Sequence, residues 1–135
     1  MKQQRTNAVV GKKIADFFFS GAKRSFQKGS IILRPGESIS SIFFIQSGYV
    51  RIVHHTKKGD AVTLHLFRPG CFFPLINLFN GKPSQYTIEA LSPVTVYEKS
   101  SMHVREYLHL HPDVLFDVTA RLLSGIEGLL LRVTL

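Results

Sequence analysis

Six histidines and a single cysteine are the residues of this chain whose types could hold a metal, and their spacing argues against it. His54 and His55 are neighbours in a strand-like run, where successive side chains point to opposite faces. His109 and His111 stand two apart on or beside a helix and diverge as well. No pair combines the i, i+2 strand or i, i+4 helix spacing with a carboxylate that chelation would use. They read as solvated or hydrogen-bonded histidines, and no metal site and no catalytic residue is assigned. Cys71 has no adjacent Lys or Arg and no CxxC partner to lower its thiol pKa, so it reads as a packed thiol. One cysteine excludes an internal disulfide and fits a reducing compartment.

The elements that must position these residues are marked by glycine. Gly36, Gly48, Gly59, Gly70 and Gly81 recur at intervals of 12, 11, 11 and 11 residues between short β-rich runs. Strands turning over at this spacing indicate an all-β sandwich or barrel. The runs are 30–33, 41–45, 49–53, 61–67, 86–90 and 94–97. Arg34-Pro35-Gly36-Glu37 and Arg68-Pro69-Gly70 set the fixed φ of proline beside a glycine, and Lys57-Lys58-Gly59-Asp60 is a polar hairpin tip. Alternation in Tyr49–Val53 and Val62–Leu66 predicts strands with one buried and one wet face, hence a closed two-sheet shell.

At 135 residues and 44% hydrophobic, the chain suits one well-cored domain. No run approaches the roughly 18 apolar residues of a membrane span, and Met1–Arg5 leads into no signal-peptide core. A cytoplasmic protein is expected. The net charge of +8 is uneven: residues 1–34 carry eight Lys or Arg against Asp16 alone, and residues 101–135 carry three against four acids. Such a patch can attract nucleic acid, but no nucleic-acid motif accompanies it, and it reads as a solvated face.

Residues 7–20 predict a short helix with Val9, Ile14, Phe17 and Phe18 on its apolar side. Leu75-Ile76-Asn77-Leu78-Phe79 interrupts the β region as a helical turn. Ser100 or Ser101 can cap a helix to about Leu110, and Pro112 opens a last helix running to the end of the chain. Leu115, Leu122 and Leu129, with Ile126 and Val133, form one stripe on it; Phe116, Leu123 and Leu130 form a second. Heptad spacing in both rows predicts one face for the domain and one for the same helix of a second copy, a parallel coiled-coil homodimer with Leu115, Leu122, Ile126, Leu129 and Val133 at its interface. With no C-cap signal at Arg132–Leu135, the helix reads as cut rather than ended.

The order of helix, strands, helical insertion, two strands, short helix and long helix resembles the cyclic-nucleotide-binding-like sensor domain of Crp/Fnr transcription regulators. The matching residues are Lys28-Gly29, Leu33-Arg34-Pro35-Gly36-Glu37, the Phe44–Val50 run, Phe67-Arg68-Pro69-Gly70 and His111-Pro112-Asp113-Val114-Leu115. The resemblance implies a mainly β fold with flanking helices, a double-stranded β-helix or jelly roll, with residues 1–110 as sensor and 111–135 as dimerisation helix. It implies that promoter DNA is read only by a helix-turn-helix domain absent from this chain.

In cAMP-binding members of that family, a phosphate-binding cassette begins with a Gly-Glu pair and ends with an Arg followed by Ser or Thr. The Glu takes the ribose hydroxyl and the Arg neutralises the cyclic phosphate. Here Pro74 and Leu75 fall on the Gly and Glu positions, and the Arg position falls at Ser84 or Gln85, just before Thr87. The positions reaching the base fall on Leu129 and Leu130. A proline offers no amide donor and a leucine cannot accept from a ribose. The resemblance therefore predicts no cAMP or cGMP binding and no cofactor. Phe73, Pro74, Leu75, Ser84, Gln85, Thr87, Leu129 and Leu130 are the candidate ligand-pocket residues. Either the cassette is filled by its own side chains, or it forms an apolar pocket for an uncharged effector. Lys82 reads as an exposed turn lysine.

Three alternatives attach to this reading. His65 or His103 could ligate haem, since some family members sense gases that way; iron–sulfur sensing would require more cysteines. A free-standing dimeric binding or scaffold protein without a DNA role would share the same domain. Cupin metalloenzymes share the double-stranded β-barrel, but they hold their metal through a His-x-His pair on strands, and the one here, His109 to His111, follows the last strand.

Overall fold

The computed structural model describes the backbone of residues 2–134 and the side chains of residues 8–124. In chain order the elements are α1 (Lys2–Phe19), β1 (Ala22–Phe26), β2 (Ile31–Leu33), β3 (Ser41–Ser47), β4 (Val50–His55), β5 (Ala61–Phe67), β6 (Phe72–Phe73), α2 (Leu75–Asn80), β7 (Thr87–Ala90), β8 (Val94–Ser100), α3 (Ser101–Leu110) and α4 (Pro112–Thr134). The strands form two four-stranded antiparallel sheets, ordered β1-β8-β3-β6 and β2-β7-β4-β5. Sequence neighbours mostly lie in opposite sheets, as a jelly roll requires.

Ile42-Phe43-Phe44-Ile45 explains how the layers stack. All four side chains are buried, and they alternate between two cores. Ile42 and Phe44 join Val10, Ile14, Phe18, Val104, Leu108, Val114 and Val118 in a core between the first sheet and the helices. Phe43 and Ile45 join Val50, Phe73, Ile88, Val94 and Val96 in a core between the sheets. The first sheet is thus covered on both faces, which is why its central strand reads as a continuous apolar run.

All five glycines of the repeat adopt positive φ, between 69° and 92°. At Gly48 the requirement is twofold, because a Cβ there would also collide with the Pro93 carbonyl and Val94.

Helix α1 starts at Lys2, five residues before the expected boundary, and its buried stripe is Val10, Ile14 and Phe18 at i, i+4, i+8 spacing. Val9, expected on the apolar side, is 62% exposed and Val10 takes its place. The Ser100 hydroxyl caps α3 by accepting from the His103 amide at 3.1 Å. Helix α4 is 23 residues long, about 35 Å. The Lys13 ammonium holds its first turn through Asp113 at 2.6 Å, and the Tyr107 hydroxyl donates to the Lys13 carbonyl at 3.2 Å. Among the described residues no helix is long and apolar enough to cross a membrane.

Candidate functional site

The cassette is the stretch from β6 through α2 to the start of β7. Its sequence explains its shape: Phe72-Phe73 buries two rings, the Phe73-Pro74 peptide is cis, and Pro74 precedes the first turn of α2, where its missing N–H costs nothing. Gly81 ends α2 in the left-handed conformation, its N–H donating to the Asn77 carbonyl at 2.9 Å. The Asn77 side-chain amide donates to the carbonyls of Lys82 and Pro83, both at 3.1 Å, and so pins the following turn.

Phe73 is 0% exposed. Its ring stacks on Phe67 at 5.3 Å between centroids and meets Phe43 at a tilt at 5.5 Å, and Phe43 in turn meets Phe26 edge-on at 6.3 Å. An aromatic ladder therefore runs from the cassette across the space between the sheets. Pro74 is buried and Leu75 half-buried, packed toward the helical core with Leu78. Ile76 and Phe79 face outward, 56% and 41% exposed.

At the far end of the cassette, Ser84 is buried. Its hydroxyl donates to the Tyr86 carbonyl at 2.7 Å, so its polar atoms are used within its own turn. Its backbone joins the Arg34–Glu37 turn: the Gly36 N–H donates to the Ser84 carbonyl at 2.7 Å, and the Ser84 N–H donates to the Glu37 carbonyl at 3.1 Å. Thr87 is buried as the first residue of β7, whereas Gln85 and Lys82 are exposed. Beside the cassette, Arg51 reaches across the second sheet to pair with Glu89, its Nε donating at 2.6 Å, and also donates to the Thr63 hydroxyl at 2.9 Å.

The structure thus brings Phe73, Pro74, Leu75, Ser84 and Thr87 into one loop, with Gln85 on its outer side. The side chains of Leu129 and Leu130 lie outside the described residues. So do those of Ile126 and Val133 in the expected dimer stripe. Leu115 is half-buried against the helical core and Leu122 is half-buried, while Phe116 and Leu123 stand 79% and 59% exposed. The histidines are scattered: His54 meets Tyr86 edge-on at 6.0 Å, His65 meets Phe67 at 4.8 Å from β5, His103 sits in the first turn of α3, and His111 lies against Tyr107 at 4.2 Å. Among the described residues no three His, Cys, Asp or Glu side chains come together in a metal-binding group. Cys71 is half-buried at the edge of β6.

Two ionisable groups near the helices are perturbed. The hydrogen bond from Lys13 holds the Asp113 carboxyl below the usual range, aided by backbone N–H groups. Burial raises the Tyr107 phenol, partly offset by the Lys13 charge.

With fold and site in view, the kinship is plain. The family profile of the cyclic nucleotide-binding domain matches residues 23–111, from β1 to the α3–α4 corner, and the chain belongs to that family. Crp/Fnr regulators stand among its relatives. It is 25% identical over 100 residues to the cAMP-activated global transcriptional regulator CRP of Pasteurella multocida, a match covering 73% of this chain and 48% of that protein. It is 35% identical over 71 residues to the cAMP-dependent protein kinase regulatory subunit of Debaryomyces hansenii, covering 53% of this chain and 15% of the other. The chain thus spans about half the length of the first relative and far less of the second.

Solved structures repeat the fold. The Thermus thermophilus catabolite activator protein superposes with a TM-score of 0.77 at 20% identity, covering 89% of this chain and 57% of that one. The sensor domain of the transcriptional regulator DNR from Pseudomonas aeruginosa gives 0.69 at 20% identity, covering 84% and 76%. The two curated relatives are regulatory proteins by name.

Proposed function

We propose that this chain is the sensing and dimerisation half of a cytoplasmic Crp/Fnr-type transcription regulator, and that its cassette does not bind cAMP or cGMP. The observation that carries the second part is Phe73, fully buried, stacked on Phe67 and tilted against Phe43, which supports a cassette filled by its own side chains. The positions that meet the nucleotide in cAMP-binding members are here Pro74, Leu75 and either Ser84 or the exposed Gln85, none of them charged. A cyclic phosphate placed there would lose water without gaining a cation, at a cost of several kcal/mol. Ser84 offers no compensation, since its hydroxyl is already engaged with Tyr86.

Dimerisation is supported by Phe116 and Leu123, two large apolar side chains one heptad apart and both mostly exposed on α4. This shifts the expected seam from the Leu115 row toward the Phe116 row, because Leu115 packs against the helical core, with Leu122 half-buried in the same row. A DNA reader would follow α4, in the half of the CRP-like relatives that this chain does not span. A change in cassette packing would then be felt as a change in how two α4 helices pair.

Isothermal titration of the purified chain with cAMP and cGMP tests the ligand half of the proposal. No saturable heat is expected up to about 1 mM nucleotide; saturable binding at roughly 10 µM or tighter would sink it. Sedimentation equilibrium tests the other half: a dimer that Phe116→Glu or Leu123→Glu converts to monomer is expected, and a wild-type monomer would refute it. Native mass spectrometry of the same sample would reveal a co-purified apolar effector, which would replace the self-filled cassette with an occupied one.

A further inference from the structure

Outside the cassette itself, residues of β1, β2, β3 and β8 surround a cleft of about 190 Å³. Its lining comes from Arg24, Ile32, Leu33, the Glu37–Ser41 loop, Phe43 and Glu98. The strand registers explain why it is polar. Glu98 lies opposite Phe43 in the β3–β8 ladder and Arg24 opposite Val96 in the β1–β8 ladder, so both charges continue the face that carries the inter-sheet core. Where Val94 and Val96 fill the inside of the roll, Glu98 takes the next inward position and the apolar core gives way to water.

Glu98 accepts from the Ser41 hydroxyl at 2.8 Å and from Arg24 at 3.0 Å. The Arg24 guanidinium also lies 4.9 Å from the Phe26 ring centroid and 5.9 Å from that of Phe43. Glu37 supplies a second carboxylate with no ion-pair partner among the described residues. The residues lining the cleft therefore carry one guanidinium and two carboxylates, a formal excess of one negative charge, with Glu37 on the exposed rim. Its remaining wall, Ile32, Leu33, Ile39 and Phe43, is apolar.

We propose that this cleft is a binding site for a small aliphatic ammonium compound, an alkyl monoamine or diamine. Net negative charge, an unpaired carboxylate and serine hydroxyls suit an ammonium group, and an aromatic floor adds cation–π attraction. An apolar wall suits a short hydrocarbon chain. The volume corresponds to about six water molecules, which limits the ligand to a short chain rather than a nucleotide. Arg24, with 49% of its side chain exposed, occupies the place at Glu98 that the ligand ammonium takes and competes with it.

Occupancy would reach the cassette from two sides. The Glu37 turn holds Ser84 through two backbone hydrogen bonds, and the Phe43 ring lies tilted against Phe73. The site is separate from the nucleotide question, and the inference does not depend on the sensor reading.

The test is a four-carbon series titrated into the full chain and followed by amide and aromatic NMR: n-butylamine, 1,4-diaminobutane, 1-butanol and sodium butyrate. Saturable shifts at Ile39, Phe43 and Phe73 are expected with the amines and absent with butyrate and butanol. Glu37→Gln, an exposed loop change, should weaken amine binding about fivefold, and Arg24→Ala should tighten it. Absence of saturable shifts with either amine, an equal response to butyrate or butanol, an unchanged affinity in Glu37→Gln, or loss of binding in a folded Arg24→Ala would each overturn the proposal. The cAMP titration reports separately on the sensor reading.

Discussion

Replacing Phe73 with alanine asks directly whether the cassette is packed or open. The ring is 0% exposed and touches Phe67 and Phe43 at 5.3 and 5.5 Å. Truncating a buried Phe costs about 3–5 kcal/mol, from lost transfer energy plus the cavity left behind. Two aromatic contacts at about 0.5–1.5 kcal/mol each argue for the upper part of that range. For a domain whose total stability is on the order of 10 kcal/mol, this is a fall of about 10–20 °C in Tm. Urea unfolding followed by circular dichroism gives the free energy, with Ile76→Ala on the exposed side of α2 as a control expected within about 0.5 kcal/mol. The same truncation should create a dry hole, so benzene or indole should restore part of the lost stability by mass action. A loss under about 1 kcal/mol with an unchanged m-value would mean that Phe73 does not fill the roll, and the argument for a self-filled cassette would fail with it.

Other perturbations isolate single terms. Gly48→Ala and Gly59→Ala share a φ near 90°, but only at Gly48 does the new Cβ meet backbone atoms. Gly59→Ala should therefore cost about 1–2 kcal/mol and Gly48→Ala clearly more, read from denaturant midpoints; equal losses would remove the clash from the account. Ser100→Ala, which deletes the α3 cap, should cost about 1 kcal/mol, while Ser100→Asp should preserve most of the stability. The Asp113 carboxyl titrates lower folded than unfolded, so its contribution is present above its unfolded pKa and disappears as pH falls through the lower folded value. Asp113→Asn should accordingly lower stability at neutral pH and flatten the acid limb of the profile, with the two proteins converging in stability as pH falls below the folded Asp113 pKa.

How much of this was legible in the sequence depends on whether the information was local. Strands β4 and β5 were visible because alternation is local, and α2 and α3 because a short apolar pentad and a serine cap are local too. The buried face expected of β5 is not there, since it is an edge strand with Val62 and Leu66 44% and 42% exposed and only Leu64 and Phe67 half-buried. Strand β1, Ala-Lys-Arg-Ser-Phe, has no apolar alternation and exists through its ladder with β8, pairing Ala22 with Glu98 and Phe26 with Val94. Strand β6 is two residues long and gains its identity from β3. On α1, periodicity could not choose between Val9 and Val10, which only the packing of Ile14 and Phe18 decides. The cassette candidates from Phe73 to Thr87 could be named from the family resemblance because they follow one another within a single stretch of chain. The Arg24–Glu98 cleft escaped notice because its lining is drawn from three strands of one sheet and one of the other, plus a loop, and no local pattern unites them.

The cassette and the cleft together bear on how such a domain could be driven. A pocket built around a buried cation responds to an anion, because the ligand relieves an unpaired charge. Here the buried positions of the cassette hold Phe73, Pro74 and a Ser84 whose hydroxyl is satisfied within its own turn, and none of these described residues carries a charge. In the proposed reading, moving the cassette requires displacing a packed ring, and the energy must come from binding elsewhere. The Glu37 turn and Phe43 are the two places where a surface-accessible cleft touches both ends of the cassette. Coupling between them is limited to a ligand's differential affinity for the two packings, typically about 1–3 kcal/mol. That is less than the whole contribution of Phe73, so such a signal would shift the ring's packing without expelling it.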